Sequence, residues 1–510
     1  MAPTVAVVGL GALGLVTLKN LLEEGFEAVG FERNDYLGGL WHFDDGNKIS
    51  VMETTRSNGS KQRGCFTDFP FPEETPDFAP AADVEKYLLA YAKHFELEKH
   101  ARLSTSIQAA RYDNEKKQWR LKIAPVSDAN NAEWQAFDKV VFAMGTDQVP
   151  MRPKIPGIEK FEGFMEHSVN FKKPEILAGK RVMVLGFGNT AADMSTELAK
   201  VTSQVYLAHR HGAIILPRWV NDKPVDHVRT YRKYGILQLM SKYTPSLWEK
   251  TMNSVIGKLQ GQVFDLKPEW RFSPAPSIAN QRPLVSDDLV AGLAAGSIIS
   301  THGLERVIDG KTVETSDGQR YEIDAIVFCT GFSVDFSIVG PDADPTRETT
   351  KDWEMTAGAN GRSLPRLYQN LFSLDHPDSL AFMGNLSFMN PAFFILPPAE
   401  EMARQVDAHH AWVVQLAKTG SVMPAVVKAS SWMDWVNEVT GTNLATYLGY
   451  GIEGWKFWAS DREFCGMLMD GLLSPHAYRV FPGKRKAWDG AKDAIIKMNK
   501  DREARFGPME

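Results

Sequence analysis

Two glycine-rich turns are the parts of this 510-residue chain whose residue types and spacing most clearly indicate chemistry. In the first turn, Gly9, Gly11 and Gly14 follow the spacing G-x-G-x-x-G. When such a turn joins a strand to a helix, its backbone N–H groups bind the pyrophosphate of a dinucleotide. Glu32 follows Gly14 by 18 residues, where a carboxylate accepts from a ribose hydroxyl and repels a 2′-phosphate. The turn therefore predicts a site for FAD or NAD rather than for NADPH.

A short segment after Glu32 narrows this choice. Gly38 and Gly39 form a glycine pair that allows the backbone to lie close to a ligand. Leu40 and Trp41 follow, and the indole of Trp41 offers an apolar wall. We therefore expect FAD at the first site, with Gly39, Leu40 and Trp41 among its contacts.

The second turn reads G-F-G-N-T-A, with alanine at the position of the last glycine, which turns of this kind allow. Arg210, instead of an acid, ends the strand that follows, and a guanidinium there binds a 2′-phosphate through paired hydrogen bonds. We expect Arg218 to share that phosphate, the alternative for Arg210 being a solvated surface arginine. This pattern predicts NADPH at the second site, with the turn residues Gly186, Gly188, Asn189, Thr190 and Ala191 as its contacts.

Composition excludes several other classes of function. The net charge of −6 argues against binding of nucleic acid through its phosphates. The three cysteines, Cys65, Cys329 and Cys465, form no C-x-x-C pair, which argues against a disulfide reductase and against a cysteine metal site. His209 and His211 flank Arg210, but two alternating histidines do not make a metal site. No signal peptide or membrane-length apolar stretch is evident, so we expect a soluble cytoplasmic protein without a membrane anchor.

The elements that must position these turns are two copies of a strand–helix–strand unit. The first has a buried strand at 5–8, a helix at 12–24 and a strand at 27–31, and the second begins with a strand at 181–185. We predict an α/β fold with two Rossmann-like dinucleotide-binding domains, the second inserted into the first. The predicted FAD domain spans 1–160 and 325–510, and the predicted NADP domain spans 161–324. The FAD domain includes C-terminal covering elements, with a helix at Pro398–Leu416 and further segments at Trp432–Trp458 and Trp488–Met498.

A motif between the two turns identifies a family. The pattern Phe161-x-Gly163-x3-His167-x3-Phe171 resembles the identifying motif of the flavin-containing monooxygenases, which are class B flavoprotein monooxygenases. The likeness extends to most of the chain. It includes the segments Glu32–Trp41, Ser57–Lys61, Asp68–Pro72 and Ser474–Arg479 and the turns that end at Gly145 and Gly331.

This resemblance implies an activity. In such enzymes NADPH reduces FAD, NADP⁺ stays bound, and the flavin forms a C4a-hydroperoxide that oxygenates a soft nucleophile at nitrogen or sulfur. It also implies that Asn58 is the catalytic side chain and an FAD contact; the alternative is an Asx turn before Gly59, and the two roles are compatible. Thr330 and Gly331 are implied as FAD contacts. His167 is expected near NADP, in a structural role more than in acid–base catalysis.

Several alternatives remain at this stage. Phe171 stands where Baeyer–Villiger enzymes usually carry tryptophan, so ester-forming oxygenation of a ketone is the second hypothesis. An NADPH oxidase that releases H2O2, or a non-catalytic flavin-binding sensor, would keep both nucleotide folds. The predicted partners are a small-molecule substrate and O2, and a homo-oligomer is left open. The sequence does not give the substrate.

Overall fold

The computed structural model describes residues 2–46, 48–278, 283–348, 365–368, 371–383, 443–449, 451–483 and 485–509. The helix predicted at 398–416 and residues 432–442 of the predicted Trp432–Trp458 segment lie outside these ranges. In chain order, the strands are β1 Thr4–Val8, β2 Glu27–Phe31, β3 Ala101–Arg102, β4 Thr105–Asp113, β5 Gln118–Pro125, β6 Glu133–Phe137, β7 Lys139–Phe142, β8 Val149–Pro150, β9 Phe164–His167, β10 Arg181–Leu185, β11 Gln204–His209, β12 Ile215–Leu216, β13 Trp219–Val220, β14 Lys223–Pro224, β15 Leu284–Val285, β16 Ile298–His302, β17 Leu304–Val307, β18 Thr312–Thr315, β19 Arg320–Glu322, β20 Ala325–Phe328, β21 Phe332–Ser333, β22 Leu367–Tyr368, β23 Phe372–Ser373 and β24 Leu380–Phe382.

The helices include one long element after each glycine-rich turn and a group near the C-terminus. They are α1 Ala12–Glu23, α2 Lys61–Gly64, α3 Ala81–His94, α4 Asn189–Ala199, α5 Tyr231–Tyr243, α6 Pro245–Val263, α7 Leu289–Ala294, α8 Leu444–Tyr447, α9 Ile452–Ser460, α10 Arg462–Asp470 and α11 Ala491–Phe506. Short 3-10 segments include Gly39–Trp41, Pro174–Leu177, Val225–Val228 and Pro475–Arg479.

The first sheet contains the first glycine-rich turn. Its strand order is β22-β23-β24-β7-β1-β2-β3, and β1 pairs in parallel with β2 and β7. The side chains of Val5 and Val7 are fully buried, as expected for a strand covered on both faces. Because β1 ends at Val8 and α1 begins at Ala12, the intervening turn lies at the carboxyl edge of the sheet, where open α/β sheets bind their ligands.

The second sheet repeats this arrangement around the second turn. Its order is β16-β11-β10-β20-β9, all parallel, and α4 follows β10. Since its strands lie in the chain between β7 and β22, the second nucleotide fold is inserted into the first. The predicted fold class is confirmed.

One predicted boundary needs a correction. Val182 of β10 pairs with Ala325, and Leu185 pairs with Phe328, so β20 belongs to the second sheet. The boundary expected between 324 and 325 therefore assigns to the FAD domain a strand that completes the second sheet. The chain leaves the second sheet only after Phe328, because the parallel pairing extends over the whole of β20.

Two passages of the chain between the sheets lie side by side. Phe332 pairs with Pro150 and Ser333 with Val149 in a short antiparallel ladder. The hydroxyl of Thr330 donates to the backbone carbonyl of Met151. These contacts join the segment that leaves the first sheet after β7 to the segment that leaves the second sheet after β20.

A buried ionic cluster connects the C-terminal elements to α1, the helix that follows the first glycine-rich turn. Asp68 Oδ2 accepts from Lys19 Nζ at 2.7 Å and from Arg479 Nη1 at 2.6 Å, and Arg485 lies 3.9 Å away. Burial by itself raises the pKa of Asp68, but the three cations outweigh burial and lower the pKa to about 2. The cluster therefore holds an ionised carboxylate between α1 and the segment after α10.

Candidate active site

A cavity of about 650 Å³ opens at the carboxyl edge of the first sheet. Most residues predicted to bind FAD line it, together with the turn at Gly145. The predicted residues in its wall are Gly9, Gly11, Glu32, Gly39, Leu40 and Trp41. The cavity thus has the position and the backbone-rich wall that a dinucleotide requires.

Two glycines shape this cavity by close approach of backbone to backbone. A Cβ on Gly39 would lie 2.9 Å from Gly11 Cα, so the glycine pair and the first turn can approach only without side chains. A Cβ on Gly14 would lie 1.8 Å from the carbonyl oxygen of Gly9. Gly14 is buried and lets α1 pack against the turn, and its predicted contact with FAD stays a prediction.

Glu32 lies in the wall, although its carboxylate already has backbone partners. Oε2 accepts from the N–H of Leu10 and Oε1 from the N–H of Asn34, each at 2.9 Å. A carboxylate oxygen has a second lone pair, so each oxygen retains the capacity to accept from a ribose hydroxyl. The backbone donors fix the orientation of the carboxylate, which is buried.

A second cavity of about 360 Å³ lies between the two nucleotide folds. Leu40 and Trp41 line both cavities, so the second begins where the first ends. Asn189 and Thr190 of the second glycine-rich turn line its opposite side, and Asn58 lies in its wall. The structure therefore brings together, around one space, residues predicted for FAD, for NADP and for catalysis.

The side chain of Asn58 is held by the inserted fold. Its Oδ1 accepts from Arg218 Nη2 at 3.1 Å. Because a guanidinium can only donate, this contact assigns the carbonyl end of the amide to Arg218 and leaves Nδ2 as the free donor. Nδ2 forms no hydrogen bond with any residue that the structure describes.

Arg218, which was predicted to share the 2′-phosphate with Arg210, has several partners of its own, and the phosphate contact stays a prediction. Its side chain is buried, and its guanidinium also binds the backbone oxygens of Arg56 and Ser57 and the carboxylate of Asp287. With these partners its donors point toward the Asn58 turn and not toward solvent beyond β11. The sequence placed Arg218 near NADP because it follows Arg210, and could not show which way the chain folds between them.

Arg210 itself follows the end of β11 and is exposed. Among the residues that the structure describes, its side chain forms no hydrogen bond or ion pair. An unengaged guanidinium at the carboxyl edge of the second sheet matches the prediction of a 2′-phosphate contact, which stays a prediction.

The remaining residues of the second turn divide by exposure. Gly188, at the N-cap of α4, and Thr190 are exposed. Asn189 is half-buried, and its side-chain oxygen accepts from the N–H of Val285 at 2.8 Å. Gly186 has a φ of +130° and joins β10 to the turn. Ala191 is fully buried and its methyl group packs α4 onto the second sheet, while its predicted contact with NADP stays a prediction.

His167 is buried at the end of β9 and lines neither of these cavities. Its Nδ1 accepts from the N–H of Val169, and its ring packs edge-on against Phe332 at 5.1 Å. Burial lowers the pKa of His167, opposed by a hydrogen bond with the backbone of Gly331, so the ring is neutral at pH 7. These contacts place the ring at the crossing of the two chain passages; the predicted contact with NADP stays a prediction.

Thr330 and Gly331 also belong to that crossing. The Thr330 hydroxyl binds Met151, and the carbonyl of Gly331 accepts from Met151 N–H at 2.9 Å. Neither residue lines the first cavity, and their predicted FAD contacts stay a prediction. Their neighbour Phe332, which was not predicted, lines the second cavity.

Asp193 is a further residue that the sequence analysis missed. It lies one helical turn after Asn189 on α4 and lines the second cavity. Burial raises the pKa of Asp193 to about 6, with Arg218 opposing and the nearby carboxylates of Glu197, Asp288 and Asp287 adding to the rise. The i,i+4 spacing from Asn189 is the signal that could have found it.

Lys172 was missed as well, although it directly follows Phe171 of the family motif. It lines the second cavity and donates to the backbone oxygen of Ser50. Burial lowers the pKa of Lys172 to about 8, with Asp44 opposing. The cavity is thus apolar over much of its wall but also carries charged side chains, which are Arg56, Lys61, Asp147, Lys172 and Asp193.

Neither a metal centre nor a membrane span is found in the described parts of the chain. No cluster of histidine, cysteine and carboxylate side chains there has the arrangement of a metal site. His209 instead stacks on Phe187 at 3.9 Å and bonds Ser300. Nor does any described helix combine the length and apolar composition that crossing a bilayer demands.

Comparison with known proteins assigns the family. Residues 2–348 match the family model described as "Flavin-binding monooxygenase-like". The chain belongs to this family. It is 68% identical to "Monooxygenase aurF" of Gibberella zeae, over 100% of this chain and 99% of that protein. It is also 28% identical to "Dimethylaniline monooxygenase [N-oxide-forming] 2" of Pan troglodytes, over 97% and 91% of the two chains.

A solved structure supports the same fold. The protein OTEMO, in a complex with FAD and NADP, superimposes with a TM-score of 0.56 at 17% identity, covering 80% of this chain and 86% of that one. The family membership confirms that this protein is a flavin-dependent monooxygenase. The two cofactors of the OTEMO complex are the pair predicted here, FAD and NADP(H).

Proposed function

We propose that this flavin monooxygenase uses NADPH and O2 to oxygenate a soft nucleophile, an amine nitrogen or a sulfide sulfur, of a small molecule. The observation that carries the proposal is the second cavity, where Asn58, the FAD-side wall and the second glycine-rich turn meet. The name of the Pan troglodytes relative, which specifies N-oxide formation, supports oxygenation at nitrogen.

Different residues of the chain would bind the two cofactors. The first turn, Glu32 and the Gly39–Trp41 segment would hold FAD in the larger cavity. Asn189 and Thr190, with Arg210 at the strand end, would hold NADPH so that its nicotinamide end enters the second cavity. When bound and reduced by NADPH, FAD supplies the activation of O2.

The wall of the second cavity excludes water from the reaction. Trp41, Met52, Phe66, Phe71 and Phe332 contribute apolar surface. A dry cavity protects a reactive oxygen species from hydrolysis and from stray protons. It also favours an amine in its uncharged form, which is the nucleophilic form, or a sulfide, which is neutral.

Asn58 supplies a donor that does not release its proton. Because Arg218 engages Oδ1, the Nδ2–H group can hydrogen-bond to an oxygen atom in the cavity while retaining its hydrogen. A histidine or a carboxylic acid in this position would deliver a proton and release H2O2. The geometry therefore favours oxygenation over an NADPH oxidase activity.

The test is turnover of the purified holoenzyme with NADPH, ¹⁸O2 and, in separate reactions, a tertiary arylamine, an aryl methyl sulfide and a cyclic ketone. We expect an N-oxide or sulfoxide that carries one ¹⁸O atom, with NADPH consumption matching product. A labelled lactone from the ketone alone would replace the proposal with the Baeyer–Villiger alternative. Consumption of NADPH that yields only H2O2 with all three would overturn it.

A further inference from the structure

Two backbone hydrogen bonds hold the turn that contains Asn58, residues 57–61, at its two ends. At one end the N–H of Ser57 donates to the carbonyl of Ala79 at 2.8 Å, and at the other the N–H of Lys61 donates to the carbonyl of Asp77 at 2.6 Å. Both acceptors lie on the same short segment before α3. Residues 77–79 therefore hold the backbone of the turn at both ends, while Arg218 holds the side chain of Asn58.

The carboxylate of Asp77 fixes that segment from the other side. Arg505, in the last turn of α11, donates to both of its oxygens, at 3.0 and 2.6 Å. Gln62, one residue after the turn, donates to Asp77 Oδ1 at 2.9 Å. The side chain of Asp77 is 2% exposed and that of Arg505 is 50% exposed, so the arginine covers a buried carboxylate from the solvent side.

The buried carboxylate of Asp77 depends on its hydrogen-bond donors to stay ionised in place. Burial raises the pKa of Asp77, but the hydrogen bonds from Arg505 and Gln62 outweigh burial and lower it. Removing Arg505 leaves a buried carboxylate with Gln62 as its remaining side-chain donor, which favours movement of Asp77 toward water. Such a movement would carry the carbonyl of Asp77 away from the N–H of Lys61.

We propose that Arg505 is a positioning residue for Asn58, acting through the carboxylate of Asp77 and the backbone of residues 57–61. The inference rests on the proposed function only for its catalytic consequence. Residue 505 lies outside the part of the chain that matches the family model, which ends at residue 348. The C-terminal helix is thereby part of the machinery that keeps oxygenation coupled to NADPH consumption.

The experiment compares Arg505→Ala and Arg505→Lys with Lys497→Ala in the full-length, FAD-bound enzyme. Lys497 is the matched control because it lies on the same helix and pairs at 3.2 Å with Glu73, four residues before Asp77, in a pair whose side chains are 56% and 77% exposed. Amide hydrogen exchange of a peptide spanning 57–64 measures the turn directly. The H2O2 released per NADPH consumed measures coupling.

In Arg505→Ala we expect exchange of the 57–64 peptide to quicken about tenfold, which is the scale of one lost charge-assisted hydrogen bond. The H2O2 fraction should rise, while the rate of flavin reduction by NADPH stays within about twofold of wild type. Lys497→Ala should leave both unchanged, because exposed pairs contribute little. Arg505→Lys should recover most of the coupling, since it keeps the charge.

The proposal fails if exchange of the 57–64 peptide is unchanged in Arg505→Ala or rises equally in Lys497→Ala. It also fails if Arg505→Ala loses FAD and lowers every rate in parallel, since that outcome indicates a general structural role. If the wild type releases only H2O2, the proposed function is lost, but the exchange comparison still decides whether Arg505 positions the turn.

Discussion

At the scale of the residue, the chemistry of this enzyme depends on which atom of each side chain is left free. Arg218 engages Oδ1 of Asn58 and so presents its Nδ2–H group to the cavity. Arg210 carries the same functional group as Arg218 but remains exposed and unengaged by other described residues. Two arginines eight positions apart thus have different roles, one in positioning and one in predicted recognition of a phosphate.

Replacement of Asn58 by alanine should separate flavin reduction from oxygenation. Loss of the Nδ2–H donor should lower the rate of substrate oxygenation by roughly a hundredfold, in the range seen when a donor to a developing charge is removed. Reduction by NADPH should continue. Asn58→Asp is the sharper variant, because its carboxylate still accepts from Arg218 but donates nothing; if it oxygenates like wild type, the donor role is wrong. Product yield and anaerobic flavin reduction are the measurements.

Replacement of Arg210 by alanine should raise the KM for NADPH by roughly tenfold or more, since one charge-assisted contact to a phosphate contributes about 1.5–3 kcal/mol. The KM for NADH should hardly change, because NADH has no 2′-phosphate. Arg306→Ala is the control, since Arg306 is an exposed arginine of β17 that pairs with Glu314. Equal losses with both cofactors would remove Arg210 from the phosphate site.

At the scale of the element, both nucleotide folds depend on a helix that packs tightly against the turn before it. In the first fold Gly14 makes this contact, and in the second Ala191 does so with a buried methyl group. The same geometry places the N-terminus of each helix at the carboxyl edge of its sheet, where backbone N–H groups face the ligand.

Gly14→Ala should therefore impair FAD binding. Its Cβ would lie 1.8 Å from the carbonyl oxygen of Gly9, so the turn must move. We expect a lower ratio of bound flavin to protein, measured by the visible absorbance of the purified enzyme. Gly466→Ala on α10, where no atom lies within 4 Å of the added Cβ, should keep its flavin and be slightly more stable. Full flavin content in Gly14→Ala would contradict the packing argument.

At the scale of the whole molecule, buried titratable groups tie distant parts of the chain together. The Asp68 cluster joins α1 to the C-terminal elements. His227 bonds Gln62 and packs against Phe506 of α11 at 5.9 Å. Burial lowers the pKa of His209 and of His227 to about 4, so both rings are neutral in the folded protein at pH 7.

These shifts predict a loss of stability in acid. A histidine whose folded pKa is depressed contributes stability above its unfolded pKa, and this is lost as the pH falls from about 6.5 to about 4, on the order of 3 kcal/mol for each ring. Asp68, with a folded pKa of about 2, contributes a further loss below pH 4. Denaturant unfolding at pH 7, 5.5 and 4.5 checks the slope. His227→Asn should flatten it; an unchanged slope would exclude this ring.

The sequence by itself determined what is local: the strand–turn–helix units, the two nucleotide folds, the pair of cofactors and the family. Each of these depends on residues close together in the chain, whose spacing fixes backbone geometry. Only the tertiary structure decided which side chains meet across long separations. Arg218 and Asn58, or Arg505 and Asp77, carry no signal in their spacing, because the contact exists only after the inserted fold and the C-terminal helix have packed. For the same reason only the structure showed that His167, Thr330 and Gly331 meet at the crossing of the chain.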